Sequence, residues 1–244
     1  MRRWDGSRAR VALGGIVLLA VATRLAAIGG RLHADDAYSW LVASQPSPHA
    51  FLRQLAGAEN TPLLSYLLLS PLPIDQPVWL RLPAAVAGSL LPLVLFLAVR
   101  RAIGTRASLI AALAVAVAPF LITYSNLARG FMLQDLAELV ALWAVLALAE
   151  ESRARWWAAF VLAGVVALYT EYSAAIFLAA LAAVAVALGR PRRRPMVLAT
   201  AVPFVALAPW IPQIARGERQ VGVTKLHPLF ATPSPHSSAT QWPH

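Results

Sequence analysis

The chain has 244 residues, of which 59% are hydrophobic and 13% charged, with a formal net charge of +10 and a mean hydropathy of +0.64. That is the composition of a polytopic membrane protein, and it excludes an ordinary soluble domain of this size. The basic residues sit in short clusters between apolar runs, which fits membrane topology and not nucleic-acid binding, and the absence of cysteine rules out disulfides, thiolate metal sites and a Cys nucleophile.

The first apolar run, Val11 to Gly29, is about the 20 residues that a helix needs to cross a bilayer, and only Arg24 interrupts it. It follows Arg2, Arg3, Arg8 and Arg10 but lacks a small-x-small cleavage site followed by a soluble mature region, so it reads as a retained anchor. The segment from Arg31 to Arg81 is proline-rich and holds Asp35, Asp36, Glu59 and Asp75, with one short apolar piece, Leu63 to Leu72. It is expected to lie on the membrane surface, with a short helix starting at Thr61-Pro62. Further spans are expected at Leu82 to Val99, Ala107 to Tyr124, Phe131 to Ala149 and Met196 to Ile214. The block from Trp156 to Gly189 is too long for one untilted crossing, and it is split into two short spans at Tyr169-Thr170-Glu171-Tyr172. The expectation is an all-α membrane protein with about seven transmembrane helices in residues 1–215, an outer loop at 31–81, and an extracytoplasmic tail at 216–244 that is disordered or truncated.

Alternation tests this layout, because Lys and Arg accumulate on the cytoplasmic side. With the N-terminus inside, 13 of the 21 basic residues fall in cytoplasmic segments, among them Arg100, Arg101, Arg106, Arg153, Arg155 and Arg190 to Arg194. The face that then points outward carries His33 to Tyr38, Arg81, the Tyr124 to Arg129 turn and the Tyr169 to Tyr172 break. No internal repeat, Gly-rich phosphate loop, HExxH or nucleophile elbow is present.

Two adjacent acids at a membrane face, with arginines on neighbouring loops, suit transfer of a sugar from a lipid phosphate to a hydroxyl. A carboxylate takes the acceptor's proton, and cations hold the departing phosphate. Asp35 is the candidate base. Asp36 either orients the acceptor or caps the next helix, and two neighbouring carboxylates are expected to raise the pKa of one of them. Arg129 is the candidate phosphate ligand, with Arg81 second and a lipid-headgroup anchor as its rival role. Tyr124, Tyr172 and Glu171 are candidates for the substrate pocket. Asp135 and Glu138 share one helix face, and Arg24, at a similar depth, is expected to pair with one of them. His33 reads as an exposed loop residue, and its spacing to other ligands offers no metal site.

In order along the chain, several short stretches resemble GT-C fold glycosyltransferases, in particular family 39 and its protein O-mannosyltransferase-like neighbours. Ala34-Asp35-Asp36-Ala37-Tyr38 is similar to that family's Asp-Glu motif, with Asp36 where Glu is usual. Asn60-Thr61-Pro62-Leu63-Leu64-Ser65-Tyr66 resembles its His-Pro-Pro-Leu-Tyr-Tyr stretch, which makes Asn60 a further pocket candidate. Arg81-Leu82-Pro83 through Gly88, Tyr124-Ser125-Asn126 through Arg129-Gly130-Phe131, and Tyr169-Thr170-Glu171-Tyr172 resemble later motifs, with Glu171 in place of His. The resemblance implies a polyprenyl-phosphate-linked sugar as donor, membrane lipid as surroundings, an unspecified acceptor, Asp35 as base, and a divalent cation at Asp36 in relatives that use one. It also implies that further helices and an outer domain usually follow. The rival readings are a non-enzymatic scaffold or transporter, and an inactive truncated enzyme.

Overall fold

The computed structural model describes residues 6–58, 62–189 and 193–212, and among them it contains only helices and turns. In chain order these are α1 (Gly6–Leu25), α2 (Ala34–Ala43), α3 (Pro48–Ala58), α4 (Leu64–Leu69), α5 (Pro77–Ile103), α6 (Thr105–Val117), α7 (Pro119–Tyr124), α8 (Phe131–Glu150), α9 (Ala154–Thr170), α10 (Ala174–Leu188) and α11 (Arg193–Leu207), followed by a 3-10 turn, Ala208–Trp210. Thr61, Asn60 and the 216–244 tail lie outside the described residues.

The all-helical expectation holds, and the helix boundaries show how proline acts here. Helix α5 runs through Pro83 and Pro92 and reaches 27 residues, longer at both ends than the expected span. A proline removes one backbone bond, and neighbouring helices can supply the packing that keeps such a helix continuous. Pro119 acts differently. It divides the expected Ala107 to Tyr124 span into α6 and α7, with Ala118 between them in an extended conformation (ψ 117°), as the residue before proline prefers. The expected break in the 156–189 block falls where the sequence placed it, with Glu171 extended at φ −153° between α9 and α10.

Two helices, α5 and α8, are long and apolar enough to cross a membrane; α6, α9 and α10 are apolar but have only 13, 17 and 15 residues. The expected count of seven crossings therefore exceeds what length and apolarity establish among the described residues. Helix α8 is the hub, packed against α5 on one side and α9 on the other. Its stripe Ala137, Ala141, Ala144 is buried against Phe160, Ala163 and Ala167 of α9. Small side chains at helical spacing let backbones approach closely, so that dispersion between packed atoms holds helices together where lipid offers no hydrophobic drive.

Arg24 corrects one expectation. It is fully buried, but it pairs with neither Asp135 nor Glu138. Its guanidinium donates to the carbonyls of Ala20 (3.1 Å), Ala116 (3.0 Å) and Val115 (3.4 Å) and to Ser125 Oγ (3.2 Å). The cause lies in Pro119. The Val115 carbonyl would normally accept the amide of residue 119, which proline lacks, and the end of α6 at Val117 leaves Ala116 in the same position. A cation at the carbonyl end of α6 also suits the helix dipole. Gly88 on α5 makes room for this arrangement, since a Cβ there would collide with Ser125 Oγ.

Candidate active site

The site forms where the start of α2 meets the turn between α7 and α8. His33 is the N-cap residue of α2, in an extended conformation, and Asp35 and Asp36 occupy its first turn, where carboxylates favour the positive end of the helix. The same turn places the two acids on different sides, and their environments diverge completely.

Asp35 remains 44% exposed at its side chain and meets Arg129, which is 10% exposed. Arg129 Nη2 and Nε both donate to Asp35 Oδ1, at 2.8 and 3.2 Å, while Nη1 donates to the Tyr66 hydroxyl at 3.0 Å. The guanidinium lies 5.4 Å from the centre of the Tyr38 ring, within cation–π range. Tyr38 in turn meets Tyr66 edge-on at 6.3 Å. Val42, Phe51 and Leu55 form the buried floor beneath these rings, with Trp210 packed against it.

Asp36 is fully buried, as is Arg81. Arg81 Nη2 and Nε donate to Asp36 Oδ2 at 2.6 and 3.2 Å. The His33 amide donates to the same oxygen (2.9 Å), and the Ala128 amide donates to Oδ1 (2.8 Å). Burial on its own would raise the Asp36 pKa, but Arg81 and the two amides outweigh it and hold the carboxyl below its ordinary value. The expectation that neighbouring acids would raise a pKa therefore fails at Asp36, where cations and amides surround the carboxylate. Arg81 also differs from expectation. Its remaining N–H groups donate to the carbonyls of Ile28 (3.0 Å), Gly30 (2.9 Å) and Arg31 (2.5 Å), so all five are engaged within the protein.

The α9–α10 break approaches from the other side. Gly130, directly after Arg129, lies so close to Thr170 that a Cβ would strike its Cγ2, and Gln134 of α8 donates to Ser173 Oγ at 3.0 Å. Glu171 and Tyr172 thus stand beside the Arg129 turn. Burial pushes the Tyr172 hydroxyl's pKa up, with the Trp210 indole acting in the opposite sense. Tyr124 is turned away into an aromatic stack with Phe120 (4.2 Å) and Phe131 (5.2 Å). Among the described residues no three His, Asp or Glu side chains come close enough to share a metal ion. Asp135 and Glu138 line a separate pocket of about 270 Å³ with Leu91, Val115 and Phe177.

Residues 60–215 match the dolichyl-phosphate-mannose-protein mannosyltransferase family. The chain belongs to that family. The match contains Arg81, Tyr66, Arg129, Glu171 and Tyr172 and starts after Asp35 and Asp36. No curated protein matches the chain. Membership in the mannosyltransferase family makes the protein a membrane glycosyltransferase in general terms and agrees with the resemblance read from the sequence.

Two residues of this candidate site are not singled out by the sequence. Tyr66 was within a quoted motif, yet only the fold brings its hydroxyl to Arg129. Ser39 had no signal at all; its hydroxyl donates to the Ala128 carbonyl at 2.5 Å.

Proposed function

We propose that the protein transfers a sugar from a polyprenyl-phosphate donor to a hydroxyl acceptor at the outer face of the membrane, in a multi-pass arrangement with a cytoplasmic N-terminus. The observation that carries this reading is the half-exposed Asp35–Arg129 pair, a base and a phosphate-binding fork side by side, walled by Tyr38 and Tyr66. In the reaction the acceptor oxygen forms a bond to the anomeric carbon while its proton passes to the Asp35 carboxylate. The bond from that carbon to the phosphate oxygen breaks, and the lipid phosphate leaves with the electron pair, held by Arg129. Guanidinium matches phosphate oxygens in a two-pronged geometry and stays charged at an interface.

Arg129 donates to the Asp35 carboxylate through Nε and Nη2. A donor phosphate competes for the guanidinium and draws it off, leaving Asp35 free to receive the acceptor, so the donor binds first. The phosphate role falls to Arg129, whose partner Asp35 is partly open to solvent, whereas Arg81 and its partner Asp36 are fully buried. Glu171 and Tyr172 border the space into which the sugar would extend, and Asn60 lies in the chain segment leading to Tyr66. Purified protein in vesicles, given a labelled polyprenyl-phosphate mannose and a hydroxyl acceptor, tests the reading. Transfer that disappears in Asp35→Asn supports it, whereas transfer at the wild-type rate in that variant rejects it.

A further inference from the structure

Of the two roles open to Asp36, orienting the acceptor or capping α2, its hydrogen bond from the His33 amide supplies the second. A carboxylate offers about four acceptor positions, and Asp36 receives four hydrogen bonds, from His33 N–H, Arg81 Nε and Nη2, and Ala128 N–H, while fully buried. Oδ2 receives three of them and Oδ1 one, and burial closes the carboxylate to a hydroxyl proton or a cation from outside.

The distribution of those bonds is informative. Ala128 immediately precedes Arg129, and both of its backbone polar groups are held by α2: the amide by Asp36 and the carbonyl by Ser39 Oγ. Asp36 and Ser39 are three apart, on one face of a helix, so the helix that presents Asp35 grips the peptide that presents Arg129. Arg81 braces the other side by binding Asp36 together with the three carbonyls of the α1–α2 connection. Without such a clamp, Arg129 would sit on a turn whose backbone is fixed only by its own short-range bonds. Reactive groups need sub-ångström placement, and supporting hydrogen bonds from rigid elements supply it.

We propose that Asp36 and Ser39 are positioning residues that fix Arg129 relative to Asp35 through the Ala128 peptide, and that Asp36 takes no chemical part in transfer. The proposal rests on Arg129 binding the donor phosphate. Asp36→Asn removes a charge that Arg81 needs and can unfold the chain, so Ser39→Ala is the principal variant, because it leaves the Asp36–Arg81 pair intact. The probe is a ten-unit polyprenyl phosphate, titrated into purified protein in detergent. Ser39→Ala weakens binding about three- to tenfold, the effect of one hydrogen bond, and does so in the wild-type background but not in Arg129→Ala. Amide hydrogen exchange at Ala128 quickens in Ser39→Ala while the interior of α8 stays protected.

A weakening that persists undiminished in Arg129→Ala would overturn the clamp, since the effect would then not pass through Arg129. So would unchanged binding together with unchanged exchange at Ala128. If Arg129→Ala itself binds polyprenyl phosphate as well as wild type does, the phosphate role fails. The clamp then stands or falls on Ala128 exchange alone, so the two ideas fail separately.

Discussion

Two Asp–Arg pairs lie side by side in this protein and bind much the same elements, yet they differ in almost every physical respect. Asp35–Arg129 is partly open to solvent and meets the guanidinium through one carboxylate oxygen. Asp36–Arg81, also joined through one carboxylate oxygen, is closed to solvent, with every Arg81 donor used within the protein and two backbone amides donating to Asp36. One turn of helix, with its side chains fanning out by about 100° per residue, suffices to send one acid to the surface and its neighbour into the interior. Accessibility, more than charge, separates a pair that can act on a substrate from one that holds the scaffold.

The strongest way to break this comparison is to neutralise each acid in turn. Asp35→Asn should cost roughly 10²–10⁴ in transfer rate, the usual contribution of a general base, with thermal unfolding in detergent changed by no more than ~1 kcal/mol, as for exposed pairs. Asp36→Asn should instead lose about 3–5 kcal/mol of stability, because Arg81 is left buried and uncompensated, and whatever transfer it loses comes through the displaced Arg129. Changing Asp36 and Arg81 together to Leu and Met should recover only part of that loss, because the His33 and Ala128 amides would still lack their acceptor. Equal stability losses at the two acids would remove the distinction drawn here.

A smaller effect is expected at the contact joining the Arg129 turn to the α9–α10 break. Gly130→Ala places a methyl group against Thr170 and should destabilise by about 1–3 kcal/mol, as overpacking does, while lowering transfer by shifting Arg129. Combining it with Thr170→Ser, which removes the colliding methyl, should restore most of both. If unfolding and transfer are unchanged in the single variant, the turn is not seated on α9 as described.

Much of this arrangement was legible in the sequence, and what was not has identifiable causes. The order of motifs placed Asp35, Arg129 and Glu171 near one face, because hydrophobic runs of measurable length fix which loops share an end of the bundle. The partner of Arg24 was misjudged because matching charges were sought within the membrane, whereas Pro119 had removed the amide that Val115 needed. That signal was present four residues downstream of the orphaned carbonyl. The sequence leaves Arg81 open between phosphate ligand and headgroup anchor because composition cannot tell an exposed arginine from one whose donors all end on a buried carboxylate and backbone carbonyls. Ser39 could not be found at all, since a serine in a short helix looks the same whether or not a turn 89 residues away passes over it.

The finest test concerns acidity. Asp36 is held below its ordinary carboxyl pKa in the folded protein, so the folded state binds its proton less readily than the unfolded chain does. The stability it contributes is therefore full above the unfolded value of about 3.9 and declines as pH falls through the lower folded value. Wild-type protein in detergent should hold a steady unfolding temperature on acidification to about pH 5 and then lose it progressively below about pH 4. In Asp36→Asn the part of that slope due to this carboxyl should vanish, while Ser39→Ala, which keeps all four donors on Asp36, should retain it. Protonation weakens the hold of Arg81 on its partner and releases the grip on the Ala128 amide, so protection of Ala128, taken relative to the slower intrinsic exchange in acid, should fall over the same interval. An acid slope identical in wild type and Asp36→Asn would show that the carboxylate is not the charged anchor of this junction.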